Sequence, residues 1–90
     1  MPDYSVYIVE CADGSLYAGI TKDVARRLAE HNGAKPKGAR YTSGRRPVRL
    51  VFELRFASRS AALKEEARIK RLTRPQKDAL VAESRKPADT

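Results

Sequence analysis

From Tyr4 to Cys11 the chain is a run of strand-favouring residues, with Val6, Tyr7, Ile8 and Val9 unbroken at its centre. Asp13-Gly14 follows, and this dipeptide favours a tight hairpin because both positions tolerate positive φ. Ser15 to Ile20 then reads as the partner strand. Past Thr21 the apolar spacing changes. Val24, Ala25, Leu28 and Ala29 make a narrow helical stripe, predicting a helix from Thr21 to Asn32. Thr21 or Asp23 can cap its start. Asn32-Gly33 can stop it, since both tolerate the left-handed conformation at a helix end. Gly33 to Pro47 reads as loop, punctuated by Pro36, Gly38 and Gly44. Alternation returns over Val48 to Ala57. Val48, Leu50, Phe52, Leu54 and Phe56 are expected on one face, with Arg49, Glu53 and Arg55 on the other. Ser58 or Ser60 can cap a helix reaching about Leu72. Thr73 can cap a last helix that has Pro75 in its first turn and Leu80 and Val81 as anchors. Three strands with helices against them predict a two-layer α/β or α+β domain. Residues 1–83 are expected to form that one domain, and 84–90 a flexible C-terminal tail.

Composition narrows the partners. The chain has 90 residues and is 41% hydrophobic, which supports one modest core and no separate recognition domain. Its formal net charge is +8, which draws it to polyanions and favours nucleic acid. The lone Cys11 cannot form an internal disulfide and offers no zinc-ligand spacing, so a reducing compartment is expected. The N-terminus lacks the pattern of a signal peptide. No apolar run approaches the roughly 20 residues that cross a membrane. The expectation is a cytoplasmic protein with no membrane contact, a monomer or weak dimer.

Several residues invite chemistry. Tyr7 and Tyr17 lie on consecutive hairpin strands, and counting outward from Asp13-Gly14 puts them close across the pair; they can line a polar pocket or simply pack. Gly19, inside the second strand, marks a close approach by other atoms. Arg27 and His31 are four apart, so they share a helix face where a phosphate would satisfy both. His31 is the only histidine, so any imidazole chemistry must use it. Glu66 falls beside the apolar stripe of Ala62, Leu63 and Ile69, where a carboxylate requires an ion pair or a metal. Lys70, one turn on, is its ordinary partner. One carboxylate is a thin site for Mg²⁺, yet this ion often keeps waters and completes its shell with substrate phosphates. The loop carries Lys35, Lys37, Arg40, Arg45 and Arg46 with no acid among them. Tyr41 stands between these cations, where it could stack a base.

In this order and spacing, the residues resemble the GIY-YIG nuclease family from about Tyr4 to about Leu80. The first motif corresponds to Ser5-Val6-Tyr7, which keeps the tyrosine, and the second to Tyr17-Ala18-Gly19, which keeps tyrosine and glycine. The Thr21–Asn32 segment is similar to the family's next motif. The stretch from Ala62 to Lys70 resembles the segment with its metal-binding glutamate. The resemblance implies a three-stranded antiparallel sheet flanked by helices and one bound Mg²⁺ or Mn²⁺ ion held by Glu66. It implies that Tyr7 and Tyr17 position or deprotonate the attacking water, that Arg27 binds the scissile phosphate, and that His31 assists as base or orienting group. Many members carry lysine directly after the second motif's glycine, where this chain has Ile20; Lys22 lies nearby. Gly19, Lys22, Lys35, Lys37, Arg40, Tyr41, Arg45, Arg46 and Lys70 are the expected nucleic-acid contacts, with DNA favoured over RNA. The leading expectation is a Mg²⁺-dependent endonuclease of little sequence preference, acting on structured or damaged DNA. A catalytically silent nucleic-acid-binding module on the same scaffold is the alternative, and a basic protein-interaction or RNA-associated domain the third.

Overall fold

The computed structural model describes residues 3–33 and 44–84. Its elements are β1 (Tyr4–Glu10), β2 (Leu16–Thr21), α1 (Val24–His31), β3 (Arg49–Phe56), α2 (Arg59–Lys70) and α3 (Arg74–Ser84). The strands form one antiparallel sheet in the order β2-β1-β3. The hairpin closes where the Gly14 N–H donates to the Cys11 carbonyl and the Cys11 N–H donates to the Ser15 carbonyl, at 2.9 and 2.8 Å. Gly14 supplies the φ of +85° that this turn requires. The β1–β2 register pairs Tyr7 with Gly19 and Val9 with Tyr17. Tyr7 and Tyr17 are therefore diagonal neighbours on one face, still within reach of each other.

Helices cover both faces of the sheet, so there are three layers where two were expected. Tyr7, Val9 and Cys11 pack with Val48, Leu28 and Leu50 on the α1 side. Val6, Ile8 and Ala18 pack with Ala62 and Ile69 of α2 and Leu80 and Val81 of α3 on the other. The reason lies in β1: its residues Ser5 to Val9 are all buried, and an unbroken apolar strand needs cover above and below.

β3 departs from the predicted alternation. It pairs Phe52 with Ile8 but Leu50 with Val9, leaving Val51 as an extra residue in a β-bulge. Inserting one residue flips every side chain beyond it to the other face. Val48 and Leu50 accordingly join the α1 side, while Val51, Phe52 and Phe56 join the α2–α3 side. Leu54, expected in the core, is 43% exposed.

The caps follow the sequence closely. Asp23 Oδ1 accepts from the Arg26 N–H at 3.0 Å, Ser58 Oγ from the Ala61 N–H at 3.1 Å, and Thr73 Oγ1 from the Gln76 N–H at 3.3 Å. Thr21 stays in β2, and its hydroxyl accepts from the Asp23 N–H. Gly33, with φ of +93°, ends α1, whereas Asn32 remains at φ −90°. Helix α3 runs through Ser84, and residues 85–90 of the expected tail lie outside the described residues. Among the described residues, no helix is long and apolar enough to cross a membrane.

Candidate active site

Tyr7 is the hub of a cluster on the α1 side of the sheet. It stands on the central strand opposite Gly19, and the phenol lies over that glycine. A Cβ on Gly19 would come within 2.5 Å of Tyr7 Oη and 2.7 Å of its Cζ, so only glycine leaves room for the ring. Tyr7 Oη and His31 Nε2 share a hydrogen bond of 2.8 Å. Arg27, one turn before His31 on α1, hydrogen-bonds the same phenol. Guanidinium only donates. Arg27 therefore donates to the phenol oxygen, and the tautomer of His31 sets whether the phenol O–H donates to Nε2 or accepts from it. Tyr17 meets His31 edge-on, with ring centroids 5.4 Å apart.

Glu66 completes the group from the other helix layer. Its carboxylate is 3.4 Å from Lys70 Nζ, and that ammonium stands 6.0 Å from the centre of the Tyr17 ring. The Glu66 charge is near enough to act on the Tyr7 phenol. The five residues Tyr7, Tyr17, Arg27, His31 and Glu66 thus gather where β1 and β2 meet α1 and α2. His31 and Tyr7 are buried and form the floor. Arg27, Tyr17 and Glu66 keep part of their surface in solvent.

The electrostatics are those of a neutral resting pair. Burial raises the Tyr7 pKa above its ordinary 10.0, outweighing the Arg27 hydrogen bond and charge that pull it down. The downward pull of the Arg27 guanidinium is thus overcome by desolvation. Burial, helped by the Arg27 charge, lowers His31 below 6.5. His31 is accordingly a neutral core imidazole, and not one of two cations awaiting a phosphate on an open helix face. Arg27 is held from behind by Glu30, whose Oε1 accepts from Nη1 at 3.0 Å. Arg26 reaches the same carboxylate at 3.3 Å, and these partners hold Glu30 below the usual carboxylate range, the Arg27 hydrogen bond contributing most.

The metal expectation can be tested on the donor set. Among the described residues, no three His, Cys, Asp or Glu side chains converge as a metal cage. One carboxylate fits a Mg²⁺ ion that keeps most of its waters and borrows substrate oxygens; it does not fit a preformed site. A cavity of about 650 Å³ lies elsewhere, between the start of α1 and the sheet. Ser5, Leu28, Leu50 and Glu53 line it, and none of the five does.

The expected nucleic-acid contacts divide. Gly19 supports Tyr7, and Lys70 pairs with Glu66. Lys22 stands 5.1 Å from the centre of the Tyr4 ring at the far end of β2. Arg45 pairs with Asp13 at 3.0 Å, and Arg46 Nε donates to the His31 carbonyl at 2.9 Å, so both brace the fold. Lys35, Lys37, Arg40 and Tyr41 lie outside the described residues. Sequence reasoning missed Glu30, although its spacing of three and four from Arg27 and Arg26 was legible. It also took Asn32 only as a helix stop. The Asn32 amide donates to the Val48 carbonyl at 2.9 Å and accepts from the Val48 N–H at 2.7 Å, clamping α1 to the start of β3.

The model of the GIY-YIG catalytic domain matches residues 3–79, the stretch that carries every one of these side chains. The chain belongs to this family, which is generally one of nucleases. It is similar to a UPF0213 protein of Desulfotalea psychrophila, 53% identical over 94% of this chain and 76% of that protein. A UPF0213 protein of Halobacterium salinarum is 52% identical over 86% of this chain and 97% of its own length. Among solved structures, the UPF0213 protein BH0048 of Bacillus halodurans superposes with a TM-score of 0.61 at 46% identity, covering 94% of this chain and 88% of that one. A protein from E. faecalis gives 0.62 at 39% identity, covering 92% and 86%.

Proposed function

We propose that the chain is a divalent-metal-dependent endonuclease that hydrolyses phosphodiester bonds in DNA with little sequence preference, working on structured or damaged strands in repair or recombination. One observation carries this reading: phenol, guanidinium, imidazole and carboxylate from four elements converge on one partly open floor. Hydrolysis needs a positioned water, a path for its proton, and neutralisation of charge developing on phosphorus oxygens.

Each residue has a part in that division. Arg27, fixed by Glu30, binds the scissile phosphate on the side away from the helix. Tyr7 receives the proton of the attacking water as its own proton passes to His31 Nε2, so neither ion forms alone in a buried place. The neutral resting state of both groups supports such a relay, since His31 begins able to accept. Tyr17, partly exposed at the rim, orients the water. The water oxygen bonds to phosphorus as the P–O ester bond breaks, the departing oxygen takes a proton from solvent, and the proton held on His31 returns to solvent through Tyr7. Glu66 would hold the divalent ion, which when bound supplies Lewis-acid stabilisation of the phosphate. The basic surface supplies affinity through phosphate contacts, with steep salt dependence. The lone buried Cys11 supports a reducing cytoplasmic setting.

A second reading has its own support. Lys70 already neutralises Glu66 at 3.4 Å, as suits a silent nucleic-acid-binding module. Glu66→Gln separates the two. For the nuclease, wild type nicks supercoiled plasmid with Mg²⁺ or Mn²⁺, and Glu66→Gln loses nicking while keeping affinity measured without metal. If wild type binds DNA but cuts nothing with either ion, the silent module stands and the nuclease reading falls.

A further inference from the structure

Helix α2 presents a charged stripe that leads away from the cluster. Arg59, Leu63, Glu66 and Lys70 are spaced by four, three and four residues, so they lie along one side of the helix. Lys70 marks the end near Tyr17 and the hairpin turn. Arg59 marks the other end, seven residues before Glu66, or about 10 Å along the axis at ~1.5 Å per residue. Arg59 is exposed and forms no ion pair among the described residues. Arg68 and Arg74, on the same pair of helices, are both bound to acids.

A second cation belongs to the same end of the sheet. Continuing the β1–β2 register beyond the Ser5–Thr21 pair sets Lys22 beside Tyr4, and its ammonium lies over that ring. Tyr4 pairs on its other side with Phe56, three residues before Arg59. Tyr4 also packs against the core cluster that includes Ala62 and Ile69 of α2, so the Lys22 ammonium over that ring is turned toward the α2 side, although Lys22 also borders the cavity at the start of α1. The tyrosine ring keeps Lys22 on this side without neutralising it.

We propose that Arg59, with Lys22, forms a phosphate-binding station about three nucleotides from the scissile bond, given ~3.4 Å of rise per nucleotide along a duplex strand. The nucleic-acid strand then runs along α2 from Lys70, past Glu66, to Arg59. This rests on the nuclease reading for its direction, because Glu66 fixes where cutting occurs. The binding itself is measured without metal, so the two ideas fail separately.

The experiment is fluorescence anisotropy of the full chain with a labelled 20-base-pair duplex, without divalent ions, from 50 to 200 mM salt. Losing one phosphate contact lowers the salt slope by about 0.9, so wild type should lose about 3.5-fold more affinity than Arg59→Ala across that range. Lys22→Ala should behave alike. Lys64→Ala, exposed on the opposite side of α2, should keep the wild-type slope. Equal slopes for wild type and Arg59→Ala would overturn the station, as would an equal effect of Lys64→Ala, which would reduce it to net charge. Melting temperatures of all variants confirm that each is folded. If Arg59 dependence persists in a protein that never cuts, the station stands and only the nuclease reading is lost.

Discussion

Gly19→Ala tests whether the Tyr7 ring is fixed where the chemistry requires it. The added methyl would lie 2.5 Å from Tyr7 Oη, 2.7 Å from Cζ and 3.0 Å from Cε2. Restoring ordinary contact means moving the phenol by roughly 1 Å, an overpacking that typically costs 1–3 kcal/mol. The ring is only 3% exposed and His31 is fully buried, so there is no free direction to move. A shift of that size also stretches the 2.8 Å Tyr7–His31 hydrogen bond beyond useful length. Leaving two buried polar groups unpaired adds about 1–3 kcal/mol. Together the loss is about 3 kcal/mol, a large share of the 5–15 kcal/mol that hold a small domain. Urea unfolding reads this directly, and plasmid nicking by the folded fraction should fall about 100-fold, as expected for a catalytic group displaced by about 1 Å. Tyr7→Phe in the same background removes the 2.5 Å contact but keeps the one at Cζ, so it should regain part of the stability and none of the nicking. A Gly19→Ala protein within about 0.5 kcal/mol of wild type, and equally active, would refute the fixed ring.

The other predictions concern the floor and its supports. Because the folded His31 pKa lies below the ordinary value, the unfolded chain binds more protons once pH falls through about 6.5. Stability should thus be complete above that pH and decline in the window below it, by up to about 1.4 kcal/mol per pH unit. Urea midpoints of His31→Gln should be flatter over that window, and parallel curves would sink the attribution. Asn32→Ala strands both polar groups of buried Val48 and should cost about 2–3 kcal/mol. Asn32→Asp, which turns a donor into an oxygen facing the Val48 carbonyl, should be no better; near-wild-type unfolding of either would show that the clamp is dispensable.

Local chemistry made the hairpin, the caps at Asp23, Ser58 and Thr73, and the stop at Gly33 legible, because each depends on a few adjacent residues. Glu66 was findable for a related reason, since its place beside Ala62 and Ile69 follows from helical spacing. The bulge at Val51 was not. Its position is settled by which residues of β3 meet the two helix layers, a matter of partners distant in the chain. The three-layer arrangement was present in the run from Val6 to Val9, but a run that short fits a buried strand or a buried helix turn equally. The burial of His31 was not legible either: helix spacing placed it beside Arg27 but said nothing of the sheet that covers it. Asn32 illustrates the remaining limit, because its role is a bond to Val48, sixteen residues away.

The strand order has a consequence for how this molecule wears out. Tyr7 sits on β1, which is flanked on both edges by neighbours, while Lys22 follows the end of the edge strand β2 and Arg59 opens α2. Peripheral segments breathe open far more often than a sheet's middle strand. Warming should therefore blunt the hold on a polyanion first and leave the central hydroxyl in place until the whole domain melts.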